Sequence, residues 1–167
     1  TPNPVNVYGK TKLEGEKHVQ SILKKYFIIR AGWMIGGGAK DKKFVAKMVD
    51  LMRSRDEIFA VTDKRGSPTY TVDFSKNIMP LIETEKYGIY HMANKGECTR
   101  FEMAKEIAKV LKLKVRVMPA TSDMFPAPAP RGESEVLYNK NLESLGLNLM
   151  RSWQDALGEY LLANFAE

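Results

Sequence analysis

The sequence has a single cysteine, Cys98, in 167 residues. That excludes an intramolecular disulfide and a zinc site built from clustered cysteines, and it fits a reducing compartment, the cytoplasm. Long apolar runs are also missing. No stretch approaches the roughly 18 residues that suggest a membrane span. The opening Thr1-Pro2-Asn3-Pro4 lacks the basic and apolar pattern of a signal peptide. Acidic residues are in deficit, 20 against 26 Lys+Arg, for a net charge of +6. The excess is scattered. Lys10, Lys12, Lys17, Lys24 and Lys25 share a stretch with Glu14 and Glu16, and the densest cluster is Lys40, Lys42, Lys43 and Lys47. Neither is interleaved with aromatics that could stack bases, so no nucleic acid is expected. The clusters read as solvated helix faces, with an anionic ligand or an acidic partner as the alternative.

What is present is ordinary for a globular protein: 44% hydrophobic and 28% charged residues. This excludes a disordered tail, a collagen-like rod and a coiled coil. The length suits one domain, which would bury roughly two-thirds of its unfolded surface.

Apolar spacing predicts a helix over residues 8–25 with Leu13, Val19, Ile22 and Leu23 on one side. Residues 26–29 read as a short buried parallel strand. Helices follow over 44–53, from Asp73 to Ile82 with Pro80 interrupting, over 101–111, and over 141–145 and 152–165. Thr99 with Glu102 forms a capping-box pattern ahead of the 101–111 helix. Strands are expected at 58–61, 88–93 and 115–118. Gly36-Gly37-Gly38 reads as a loop, residues 65–71 as a turn around Gly66-Ser67-Pro68, and the proline-rich 119–130 stretch as extended. Alternating helix and strand give an α/β fold. The chain starts almost at once with a helix running into a buried strand. A buried parallel strand needs neighbours, and the later strands are few. The expectation is the C-terminal part of a longer α/β protein.

Tyr8 and Lys12 are the sharpest pair for chemistry. Four apart at a helix start, they share a face. A tyrosine is a poor acid or base near neutral pH, and a neighbouring ammonium favours its ionised form. Such a pair can pass a proton to a carbonyl oxygen as hydride reaches the carbon. Helix pairs of this spacing also arise by chance, so the bare pattern is weak. Trp33 reads either as a pocket wall or as core. His18 reads as a surface residue and His91 as a packed histidine rather than a ligand. Cys98 precedes a helix start without other signs of a nucleophile. No carboxylate pair has companions suggesting glycoside hydrolysis or a metal site.

In context the pattern is more specific. Residues 6–16, Asn-Val-Tyr-Gly-Lys-Thr-Lys-Leu-Glu-Gly-Glu, lead into a strand ending Arg30-Ala31-Gly32-Trp33. Gly66-Ser67-Pro68-Thr69-Tyr70-Thr71, Gly88-Ile89-Tyr90-His91, residues 101–107 and Pro126-Ala127-Pro128-Ala129-Pro130-Arg131 follow in order. Together these segments resemble the extended short-chain dehydrogenase/reductase superfamily and, within it, the dTDP-4-dehydrorhamnose reductase family. The resemblance spans nearly the whole chain. It implies the C-terminal part of a Rossmann-like fold. Residues 1–36 would end the dinucleotide-binding domain, and residues 37–167 would be mainly the small substrate-binding α/β domain, with some segments returning to the main sheet.

The resemblance also implies roles. Tyr8 would protonate the C4 keto oxygen of a dTDP-linked 4-keto sugar, with NADPH or NADH as hydride source. Lys12 would bind the nicotinamide ribose and favour the Tyr8 phenolate. Trp33 would line the sugar pocket, and Arg131 would meet the substrate diphosphate through its planar fork. The implied product is dTDP-L-rhamnose, made from dTDP-4-dehydro-6-deoxy-L-mannose. Two departures stand out. Ala31 and Gly32 replace the Thr-Ser usual in these reductases, and Lys43 stands where an Asn is usual before Phe44. The dinucleotide fingerprint would lie upstream of Thr1, in a missing N-terminal half, and Gly36-Gly37-Gly38 lacks its spacing. The chain alone is therefore expected to be inactive. A homodimer is compatible with the sequence. An epimerase or dehydratase of nucleotide sugars, or a non-catalytic regulatory subunit like that of methionine adenosyltransferase, would share the scaffold.

Overall fold

A computed structural model describes every residue except Thr1, Ala127, Arg131 and Glu167, and leaves the Ala39 side chain aside. Its helices are α1 (Val7–Ile22), α2 (Phe44–Ser54), α3 (Thr71–Glu83), α4 (Arg100–Val110), α5 (Lys140–Ser144) and α6 (Trp153–Phe165). Its strands are β1 (Phe27–Arg30), β2 (Trp33–Ile35), β3 (Glu57–Val61), β4 (Arg65–Gly66), β5 (Pro68–Tyr70), β6 (Gly88–His91), β7 (Cys98–Thr99), β8 (Arg116–Ala120) and β9 (Ser134–Glu135). The α/β reading holds. Among the described residues, no helix is long and apolar enough to cross a membrane.

Three parallel pairs make up most of the sheet structure: β1 with β6, β2 with β5, and β3 with β8. A small mixed sheet runs β7-β4-β9, with Gly66 opposite both Cys98 and Glu135. The larger core joins α2, α4, α6 and the inner faces of β2, β3 and β5. Helix α6 shows why it packs there. Trp153, Ala156, Leu157, Tyr160 and Leu161 repeat at three- and four-residue intervals and are all buried. Each large side chain so buried contributes about 1.5–3 kcal/mol. A second core gathers Leu81, Tyr90, Met92, Leu142 and Met150 against Phe27 and Ile29.

The Thr99–Glu102 capping box forms as expected, with both reciprocal bonds present. Four local expectations need correction. Residues 65–71 are not merely a turn. They contain β4 and β5, and all three residues of β5 are buried. Pro68 stands first in β5, where a strand tolerates a missing N–H. Asp73 does not cap α3, since Tyr70 holds that position and Asp73 lies buried in the first turn. Pro80 sits inside α3 without ending it, because Leu81 beside it is fully buried in the second core. The 119–130 stretch is not uniformly extended: Pro119 and Ala120 complete β8, and Ser122–Met124 form a single 3-10 turn.

Candidate active site: two clefts at Gly32 and Trp33

Helix α1 begins because the Asn6 side chain accepts the Gly9 amide at 2.8 Å. That start places Tyr8 and Lys12 one turn apart, with the Lys12 Nζ 5.6 Å from the Tyr8 ring centroid. Tyr8 is 71% exposed. Both residues line a cleft of about 580 Å³ together with Ala31, Gly32 and Met34. One turn beyond Lys12, Glu16 accepts two guanidinium bonds from Arg30, at 2.7 and 2.5 Å. This fork–fork pair fastens α1 to the end of β1. It also holds the Arg30 proton more tightly than usual. The neighbouring His91 is half-buried, and burial, then Arg30, push its pKa down.

Trp33 stands at a second cleft, of about 520 Å³, lined also by Lys64, Arg65, Arg100, Phe125 and Glu135. Its indole N–H donates to the Glu135 carboxylate. The Arg100 guanidinium lies 3.7 Å from the Trp33 ring centroid and 4.6 Å from that of Phe44. A Cβ on Gly66 would run into the indole ring, so glycine is required there for close approach. Gly32, which lines the first cleft, has the same explanation: a Cβ there would strike the Ser67 carbonyl. The Gly32 amide instead donates to the Thr69 hydroxyl at 3.1 Å, and the Trp33 amide to the Ser67 carbonyl at 2.8 Å.

The β2–β5 ribbon beneath both clefts is held from behind. Asn94 Oδ1 accepts the Tyr70 amide at 2.7 Å, and the Asn94 amide donates to the Pro68 carbonyl at 3.0 Å. Asn94 Nδ2 donates to Asp73 Oδ2 at 2.7 Å. Arg151 donates to the same oxygen at 2.9 Å and to Glu159 at 2.6 Å. These carboxylates keep the Arg151 guanidinium firmly protonated.

The structure thus puts Tyr8 and Lys12 together and sets Trp33 in the adjoining cleft, against charged groups rather than wholly in the core. Arg131 lies outside the described residues. Cys98 is buried, and burial pushes its thiol up to about 12, which argues against a nucleophile. Among the described residues, no group of three or more His, Cys, Asp or Glu could hold a metal ion. Sequence reasoning missed Gly66, Asn94, Arg100 and Glu135. The one available signal was the glycine before Ser67-Pro68, which marks a close approach as readily as a turn.

A family profile described as RmlD substrate binding domain matches residues 1–165. The chain is 34% identical over 159 residues to the spore coat polysaccharide biosynthesis protein SpsK of Bacillus subtilis, covering 95% of the chain and 55% of that protein. It is 36% identical over 162 residues to a dTDP-4-dehydrorhamnose reductase of Mycolicibacterium smegmatis, covering 96% of the chain and 49% of the relative. Among solved structures, a dTDP-4-dehydrorhamnose reductase of Bacillus anthracis in complex with NADP matches with a TM-score of 0.91 at 37% identity, over 98% of the chain and 57% of that structure. The chain spans about half the length of the relatives it matches.

Proposed function

The chain belongs to the RmlD substrate binding domain family, and from that footing we propose that it carries the proton-donating part of a ketoreductase for dTDP-linked 4-keto sugars. The observation that carries this reading is the paired Tyr8 and Lys12 lining one cleft with Ala31 and Gly32. The substrate class is that named for the Mycolicibacterium relative, and the product would be dTDP-L-rhamnose.

The residues present fit the nicotinamide ribose end of NADPH or NADH. A phenol and an ammonium open onto the cleft, whose lining also includes the small residues Ala31 and Gly32 beside Met34. Bound there, the reduced nicotinamide supplies hydride to the C4 carbonyl carbon. Tyr8 donates its phenolic proton to the C4 oxygen, so the carbonyl becomes a hydroxyl, and solvent restores the proton. Lys12 donates to ribose hydroxyls and steadies the phenolate left on Tyr8. The Glu16–Arg30 pair keeps the helix in register with Ala31 and Gly32. Trp33 walls the sugar side, and Arg131 remains a candidate for the diphosphate.

Residues 1–36 are read as the end of the dinucleotide-binding domain and 37–167 mainly as the substrate domain. The parallel pairing of β6 with β1 supports a return of the chain to the main sheet. The sequence contains no Gly-rich turn of dinucleotide spacing. The chain by itself would therefore bind NADPH weakly and turn nothing over, and the working protein would be a cytoplasmic enzyme about twice this length. The test is Tyr8→Phe in the full-length protein. Its kcat for ketosugar reduction falls about 10²–10⁴-fold, the usual worth of a general acid. Because Tyr8 is exposed, thermal stability stays within about 0.5 kcal/mol of the parent. Undiminished turnover ends the proposal.

A further inference from the structure

Trp33 is held with unusual completeness for a side chain that borders a cleft. Its ring lies against a glycine in the central strand of the β7-β4-β9 sheet, where any side chain would collide with it. The Arg100 guanidinium, from the first residue of α4, stacks over the same ring at 3.7 Å. The indole N–H is taken by Glu135, which stands opposite Gly66 in the register of β4 and β9. Face, edge and polar tip are each fixed by a different element. Arg100 is steadied in turn, since Phe44 lies 4.6 Å from it and it also donates to the Met103 sulfur. An indole that served only to fill space would need neither a cation on its face nor a carboxylate on its nitrogen.

We propose that Arg100 and Glu135 are positioning residues that lock the Trp33 indole as a rigid wall of the cleft that takes the nucleotide sugar. The proposal rests on the ketoreductase reading for the identity of that ligand. The clamp itself rests on geometry alone. Arg100 and Glu135 act through the indole, so their loss weakens sugar binding and leaves the Tyr8–Lys12 chemistry intact. The planar guanidinium matters for stacking, and a lysine preserves part of the contact. A glutamine at 135 still offers an oxygen to the indole N–H, whereas a leucine does not.

The experiment labels the full-length protein with 5-fluorotryptophan and follows the ¹⁹F resonances, assigning Trp33 with Trp33→Phe. Arg100→Ala and Glu135→Leu shift or broaden the Trp33 signal and leave that of Trp153 in place. In both variants KM for the dTDP-linked 4-keto sugar rises about tenfold, the scale of one lost cation–π or charged hydrogen-bond contact, while kcat and the NADPH KM hold. Arg100→Lys and Glu135→Gln both lie between. A Trp33 signal unmoved in both Arg100→Ala and Glu135→Leu overturns the clamp, whatever the enzyme reduces. A signal that moves with no rise in the sugar KM overturns its role in binding. A parent protein that reduces no ketosugar, yet shows the signal change, overturns the ketoreductase reading and leaves the clamp standing.

Discussion

Asn94 Nδ2 donates to Asp73 Oδ2 at 2.7 Å, and this bond ties the first turn of α3 to the segment that follows β6. Arg151 donates to the same carboxylate oxygen, and its Nη2 is buried without a hydrogen-bond partner among the described residues. Removing the carboxylate therefore takes an acceptor from both donors, although Asn94 Nδ2 keeps its bond to the Arg151 carbonyl at 3.2 Å. Asp73→Ala is expected to cost about 2–4 kcal/mol, below the worst case for a buried pair because Arg151 keeps Glu159. Asp73→Asn retains an acceptor and costs less. Urea unfolding at neutral pH measures both. Equal midpoints for Asp73→Ala and the parent would remove the network as a source of stability.

Gly66→Ala asks whether the Trp33 ring can yield. A methyl at this position meets indole carbons, and the neighbouring strands leave the backbone of β4 little room. The expected penalty is about 1–3 kcal/mol, typical of overpacking. A double variant with Trp33→Ala removes the obstacle and recovers part of the loss. Additive effects in that cycle would show that the two positions do not oppose one another.

His91 makes stability depend on pH in a set direction. Its folded pKa lies below the ordinary 6.5, through burial first and Arg30 second. The unfolded chain therefore binds the extra proton more readily. The contribution is fully present above about pH 6.5 and is lost as the pH falls toward the folded value. A backbone hydrogen bond with Tyr138, then Glu16, partly oppose the shift. Chemical denaturation of His91→Gln across pH 5–8 gives a flatter curve than the parent. Parallel curves would show that another group carries the dependence.

Much of this fold can be read locally. Helix α2 buries Val45, Ala46, Met48, Val49 and Met52 at helical spacing, and the Thr99–Glu102 box announces α4. The Tyr8–Lys12 pair is legible for the same reason, since one helical turn fixes it. Other parts escape a linear reading. A fully buried three-residue strand such as β5 has no alternation to display, and its leading proline mimics a turn. The Asn94–Asp73 and Trp33–Glu135 contacts join residues 21 and 102 positions apart. No local pattern signals either. The family resemblance located Trp33, but only the folded chain shows what grips it.

Helix α1 buries none of its residues, and Val7, Tyr8 and Ile22 stand bare along it. Its ties to the rest of the described chain include the Glu16–Arg30 fork and the Asn6 bond to the Pro130 carbonyl. A helix so lightly moored opens at a fraction of the global unfolding cost, because isolated helices of this length are marginal in water. The Tyr8 phenol and the Lys12 amine consequently sit on a lightly held helix. Whatever comes to rest along its naked flank decides how firmly they are aimed.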